Sequence, residues 1–123
     1  MIPKRILIAD DDQSNREMLA RYAALQGYDV VVVTDGVDLL KASAAERFDL
    51  IITDLFMPDL DGASAADIMT LQGSFVPVIA VTGLSPTQVD PVRHTFSRIF
   101  HKPCDYSELF EYVKSLLGGS LEA

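Results

Sequence analysis

Residues 4–19 read KRILIADDDQSNREML: a short apolar run, three consecutive aspartates, then a segment with helical spacing. The run ILIA at 6–9 is continuous rather than alternating, which predicts a strand buried on both faces of a parallel sheet. Behind the acids, Met18, Leu19, Tyr22 and Leu25 fall at i, i+1, i+4 and i+7. That spacing makes one stripe of a helix from about Gln13 to Gln26, with Gly27 ending it. A strand that turns through a polar corner into a helix is the repeating unit of an α/β sheet. Three like charges at that corner need a physical reason.

The same alternation continues along the chain. DVVVV at 29–33, LIIT at 50–53, VPVIAVT at 76–82 and RIF at 98–100 are short, mostly β-branched runs. Helical segments separate them. One runs from about Val37 to Glu46 with Val37, Leu40 and Ala44 on a side, and another from about Ala63 to Leu71 with Ala65, Ile68 and Met69. The last begins near Asp105, where Asp105 and Glu108 form a D-x-x-E cap. Leu109, Tyr112, Val113, Leu116 and Leu117 give it an apolar face, and Gly118 and Gly119 close it. Five strands joined by helices predict a single doubly wound parallel sheet with right-handed crossovers and helices on both faces. Residues 1–118 are expected to form one domain, with 119–123 a C-terminal tail or the start of a linker. The stretch LSPTQVDPVRHTFS at 84–97 is the irregular part. A proline inside a helix costs about 3 kcal/mol, so Pro86 and Pro91 predict a short or broken fourth helix, from about Pro91 to Phe96 with Asp90 as its cap.

Composition narrows the function. The 123 residues carry a formal net charge of -8, with 49% hydrophobic and 23% charged residues. Such a chain folds without needing metal or disulfide, and its negative surface disfavours nucleic acid and anionic membrane. Protein partners and cations are the better match. Cys104 is the only cysteine, so no internal disulfide forms, and a small buried or half-buried thiol is expected. ILIA is too short for a signal-peptide core, and no run reaches the ~20 apolar residues of a membrane span. A cytoplasmic location is the expectation. His94 and His101 are not at metal spacing with each other or with Cys104 and read as surface histidines.

In an open parallel sheet, ligands bind beyond the carboxyl ends of the strands. Those ends carry Asp10 and Asp11, Thr53 and Asp54, Thr82 and Gly83, and Lys102 and Pro103. Two carboxylates about 4 Å apart repel by about 4 kcal/mol at an effective dielectric near 20. A divalent cation together with the Lys102 ammonium would bring the -3 of Asp10, Asp11 and Asp54 to zero. An all-oxygen ligand set from few side chains suits Mg²⁺, which keeps waters and shares its shell with phosphate. Helix capping is the competing explanation: Ser14 and Glu17 make an S-x-x-E box, and Asp12 can cap too. Capping needs one residue, which leaves Asp10 and Asp11 unexplained by it.

With these residues in view, the chain resembles the receiver domain of two-component response regulators, a flavodoxin-like fold with strand order 2-1-3-4-5, over nearly its whole length. ILIADDDQSNREML resembles the family's first strand and acidic pair. LIITDLFMPDLDG resembles its third strand, phosphoacceptor aspartate and M-P-x-x-D-G turn, while VPVIAVTG and FHKP resemble its strand-end threonine and Lys-Pro pair. Four motifs in order at near-family spacing are specific.

The resemblance implies that Asp54 accepts a phosphoryl group from a phosphohistidine. It implies that Asp11 directly and Asp10 through water hold Mg²⁺, for which Mn²⁺ can substitute, with Asp54 and the Phe56 backbone carbonyl as further ligands. Thr82 and Lys102 would each meet a phosphoryl oxygen, and Lys102-Pro103 would be a cis peptide. The implied partners are a sensor histidine kinase or histidine phosphotransfer protein, and a downstream protein or covalently linked output domain. The implied role is a switch rather than an enzyme, with slow autodephosphorylation only.

Two departures matter. A gapless reading puts Ile99 where the family usually carries a switch aromatic three positions before the lysine, although a bulge could bring Phe100 there. The interval from Thr82 to Lys102 is also about two residues shorter than expected. Phe56 and Leu84, each two residues beyond a site residue, are apolar and would flank an attacking water, which implies a long-lived aspartyl phosphate. Two other readings compete. One is a Mg²⁺-dependent phosphohydrolase with an aspartyl nucleophile; it lacks a D-x-D pair at Asp54 because Phe56 stands there. The other is a docking receiver that works without phosphorylation.

Overall fold

A computed structural model describes residues 2–118. The tail at 119–123, including Gly119, lies outside the described residues. Five strands, β1 (Arg5–Ala9), β2 (Asp29–Val33), β3 (Leu50–Thr53), β4 (Val78–Thr82) and β5 (Arg98–His101), form one sheet in the order β2-β1-β3-β4-β5. Every pairing is parallel. The helices are α1 (Gln13–Leu25), α2 (Gly36–Ala45), α3 (Gly62–Leu71), α4 (Pro86–Val89) and α5 (Tyr106–Leu117), and a 3₁₀ turn at Asp90–Thr95 follows α4 directly.

Period-two alternation along the strands divides the core in two. Ile6, Ile8, Leu50, Ile52, Ile79, Val81 and Phe100 pack with Leu19 and Ala23 of α1 and Leu109, Phe110 and Val113 of α5. Leu7, Ala9, Ile51 and Ala80 face the other way, against Leu39 of α2, Ala65, Ala66 and Met69 of α3, and Val89 of α4. Strands β1, β3 and β4 are buried on both faces, apart from the half-buried Arg5 that opens β1. β2 is not, because it lies at the sheet edge, where Asp29 and Val32 are exposed.

Several local expectations are corrected. Met18 and Leu25 of the anticipated α1 stripe are exposed, and Ala23 takes the buried position beside Leu19; a small residue lets the helix lie closer to the sheet. Of the two cap candidates it is Asp12 that caps α1, its carboxylate accepting from Asn15 N at 3.0 Å; the Ser14–Glu17 box does not form, and Glu17 accepts from Gln13 instead. Helices α2 and α3 begin one residue earlier than read, at glycines that follow the capping Asp35 and Asp61. Gly27 has φ 94° after α1, a conformation other residues adopt only with strain.

The fourth helix is short and proline-broken, but it starts five residues before the expected Pro91. Ser85 and Gln88 form a reciprocal capping box, with Pro86 in the first turn, where its missing N–H costs nothing. Asp90 opens the 3₁₀ turn instead of capping a new helix. Asp105 caps α5 by accepting from Ser107 N at 2.8 Å.

Candidate functional site

The carboxyl ends of β1, β3, β4 and β5 meet at one rim. Asp10 and Asp11 follow β1, Asp54 follows β3, Thr82 ends β4 and Lys102 follows β5. Carboxylate oxygens of Asp10, Asp11 and Asp54 lie within 4.8 Å of one another. Asp10 and Asp54 are buried and Asp11 is exposed, so the cluster opens to solvent on the Asp11 side. A cleft of about 330 Å³ is bordered by Asp11, Asp54, Phe56, Thr82 and Lys102. All the site residues read from the sequence therefore come together.

Each side chain is held. Lys102 Nζ donates to Asp54 Oδ2 at 2.8 Å and to Asp10 Oδ2 at 3.2 Å. The other oxygen of Asp10 accepts from Asp12 N at 2.9 Å. Asp54 Oδ1 accepts from Leu55 N at 2.6 Å and from Phe56 N at 3.4 Å. Thr82 is fully buried, and its Oγ1 accepts from Leu84 N at 3.1 Å.

Burial pushes the Asp10 carboxyl above its ordinary value, more than the Asp12 N–H and Lys102 pull it down. Burial pulls Lys102 down, but its bonds to Asp54 and Asp10 outweigh this and leave the ammonium raised. By formal charge, three carboxylates against one ammonium leave a balance of about -2 that a divalent cation would close. The oxygen-only donor set and the small separation fit Mg²⁺.

The sequence reading passed over several supporting residues. Gly62 lies so close to Asp54 that an added Cβ would collide with the Asp54 backbone carbonyl. The buried Thr53 hydroxyl donates to that same carbonyl at 2.8 Å. The D-G pair of MPDLDG was the available signal, since a glycine opening a helix marks a close backbone approach.

His101 is a correction: it is half-buried, and its Nδ1 lies 2.8 Å from Leu84 O. His94 is exposed, as expected. The Lys102-Pro103 bond is cis. Cys104 is half-buried as expected, and burial, together with Asp105 and Glu108, pushes its thiol up.

The fold is matched by known proteins. Residues 6–114 fit the family model described as the response regulator receiver domain. The chain belongs to the response regulator receiver family. Among curated relatives, this receiver is 43% identical over 77 residues to the sensor protein EvgS of Escherichia coli K12, a match covering 63% of this chain and 6% of that protein. The receiver thus spans a small fraction of that relative's length.

Two solved structures set the fold beside metal-bound examples. Response regulator TrrA from Thermotoga maritima, in complex with Mg²⁺-BeF, is 30% identical, with a TM-score of 0.86 over 93% of this chain and 99% of that one. The receiver domain of sensor histidine kinase PA1611 from Pseudomonas aeruginosa PAO1, with a magnesium ion in its active-site cleft, is 26% identical, with a TM-score of 0.85 over 96% and 100%. The receiver family is a phosphoacceptor switch rather than a typical enzyme. No helix among the described residues is long and apolar enough to cross a membrane.

Proposed function

We propose that this receiver takes a phosphoryl group from a phosphohistidine onto Asp54 and thereby switches its contacts with other proteins. The observation that carries this reading is the Lys102 ammonium bridging Asp54 and Asp10 at the mouth of an acidic cleft. An Asp54 oxygen forms a new P–O bond as the P–N bond of the phosphoimidazole breaks, and the electron pair leaves on the imidazole nitrogen. Lys102 stays within reach of a phosphoryl oxygen and offsets its charge, and the Thr82 hydroxyl donates to another. Bound Mg²⁺ would supply Lewis-acid charge neutralisation of the transferring group. Asp10, Asp11, Asp54 and the Phe56 carbonyl are the residues to hold it, and Mn²⁺ can take its place.

The partners that fit are a sensor histidine kinase or histidine phosphotransfer protein and a downstream protein or attached output domain. Residues 1–118 act as the receiver unit, with 119–123 a tail or linker start, in the cytoplasm. Loss of the phosphoryl group is slow and self-directed. A phosphohydrolase reading is weaker, because Phe56 occupies the place where a second acid of a D-x-D pair would stand.

Incubation with a small phosphodonor such as phosphoramidate, read by intact mass, tests the proposal. One phosphoryl group should add in the presence of Mg²⁺ and none in Asp54→Ala. Equal modification of both proteins, or sustained release of phosphate from the donor, would overturn it.

A further inference from the structure

We propose that His101 is a positioning residue for Thr82, acting through the backbone of Leu84. This rests on the reading above, in which the Thr82 hydroxyl meets a phosphoryl oxygen. The β4–β5 register pairs Thr82 with His101, following Ala80 with Ile99 and Val81 with Phe100. No bulge interrupts it, so Phe100 packs in the α1/α5 core and cannot serve the opposite face. On that opposite face, β5 presents Ile99 and then His101. Of these two, only His101 can hydrogen-bond.

Leu84 is gripped from both sides. Its N–H donates to Thr82 Oγ1 at 3.1 Å, and its carbonyl lies 2.8 Å from His101 Nδ1. A carbonyl only accepts, so Nδ1 must carry a proton and donate. Lys102 N also donates to Thr82 O at 2.7 Å. Consecutive residues of one strand end thus pin the start of the loop at Thr82 and its turn at Leu84. Between these points stands Gly83, where an added Cβ would meet nothing within 4 Å. A glycine without packing is the natural hinge, and the His101 bond is what restrains it.

The consequence falls on the Thr82 hydroxyl. A threonine oxygen has two acceptor sites and one proton. With an acceptor site taken by the Leu84 N–H, the proton must point elsewhere, and the cleft that Thr82 borders with Asp54 is a direction open to it. Release of the Leu84 carbonyl would free the Leu84–Ser85 peptide, and with it the Leu84 Cα that also carries the N–H held by Thr82, so that this N–H could leave the hydroxyl and let it rotate. The capping box at Ser85 begins immediately beyond, so the same movement would reach α4.

The test compares wild type with His101→Leu, which keeps bulk without a donor, and His101→Asn, whose Nδ2 can reach the place of Nδ1. The rate of phosphorylation by phosphoramidate and the Mg²⁺-induced rise in melting temperature are read for each. Loss of one orienting hydrogen bond, about 1 kcal/mol, corresponds to roughly fivefold slower phosphorylation in His101→Leu. The Mg²⁺ response should be unchanged, and His101→Asn should restore most of the rate. Equal rates in wild type and His101→Leu, or loss in His101→Asn as large as in His101→Leu, would overturn the role of His101 while leaving Asp54 as acceptor.

A wild-type protein that takes no phosphoryl group would overturn the Asp54 reading and this one with it. Should His101→Leu not fold, the imidazole ¹⁵N signals of wild type decide. An Nδ1–H tautomer that shifts on phosphorylation supports the role, and an Nε2–H tautomer with no response overturns it.

Discussion

Lys102 Nζ lies 2.8 Å from Asp54 Oδ2, and this one ammonium also reaches Asp10. The pair joins the ends of β3 and β5, which are separated in the sheet by β4. Lys102→Met would leave two buried carboxylates without their cation. The pair is neither fully exposed nor fully buried, so a loss of about 2 kcal/mol is expected without metal. Urea unfolding should show this loss, Mg²⁺ should recover part of it, and the yield of phosphorylated protein should fall. A variant as stable as wild type in chelator would contradict the prediction.

Asp10 carries a cost that metal would relieve. Its folded value is raised by burial, so the folded protein holds a proton that the unfolded chain has already lost. Between the ordinary aspartate value and the raised one, its contribution to stability falls as pH rises, and the full cost is present above that window. Asp10→Asn should therefore raise the melting temperature of the metal-free protein, by about 4 °C if the cost is about 1 kcal/mol. It should also weaken the Mg²⁺-induced rise. In wild type that rise should shrink as pH is lowered through the window, because proton and metal compete for Asp10. Thermal scans with Mg²⁺ and with chelator at several pH values measure both effects.

Gly62→Ala places a Cβ against the Asp54 backbone carbonyl. Backbone on both sides leaves little room to yield, and overpacking of this kind costs about 1–3 kcal/mol. The shift would fall on Asp54, the proposed phosphoacceptor. Reduced phosphorylation should accompany the lower denaturation midpoint; a stability loss with full phosphorylation would show that the helix moved instead.

Phe56 is 78% exposed and Leu84 half-buried, and both border the cleft that holds Asp54. Apolar side chains there would hinder a water approaching the aspartyl phosphate in line. Phe56→Asn and Leu84→Glu should each shorten the phosphorylated lifetime several-fold by hydrogen-bonding that water, an effect on the order of 1 kcal/mol. Timed loss of the phosphoryl group by intact mass measures it, and unchanged lifetimes would refute it.

The sequence alone determined the sheet and which side chains gather at its rim. Continuous apolar runs broken by helical stripes specify a parallel sheet, because only strands covered on both faces lose the polar alternation. Strand ends then place Asp10, Asp11, Asp54, Thr82 and Lys102 on one rim, since all parallel strands point the same way. Local competition was harder to read. Ser85, Pro86 and Gln88 formed a better helix start than Asp90 and Pro91, because the capping box satisfies two backbone donors at once.

What the tertiary structure decided depends on distance between segments far apart in the chain. The exposure of Met18 and Leu25 follows from how α1 lies on the sheet, and the open face of β2 from its edge position. The tight approach of Gly62 to Asp54 depends on where α3 packs. The bond from His101 to Leu84 spans 17 residues and exists because β4 and β5 pair in one register. Periodicity reports which face a residue takes; it carries no information about which carbonyl of a neighbouring loop that residue will meet.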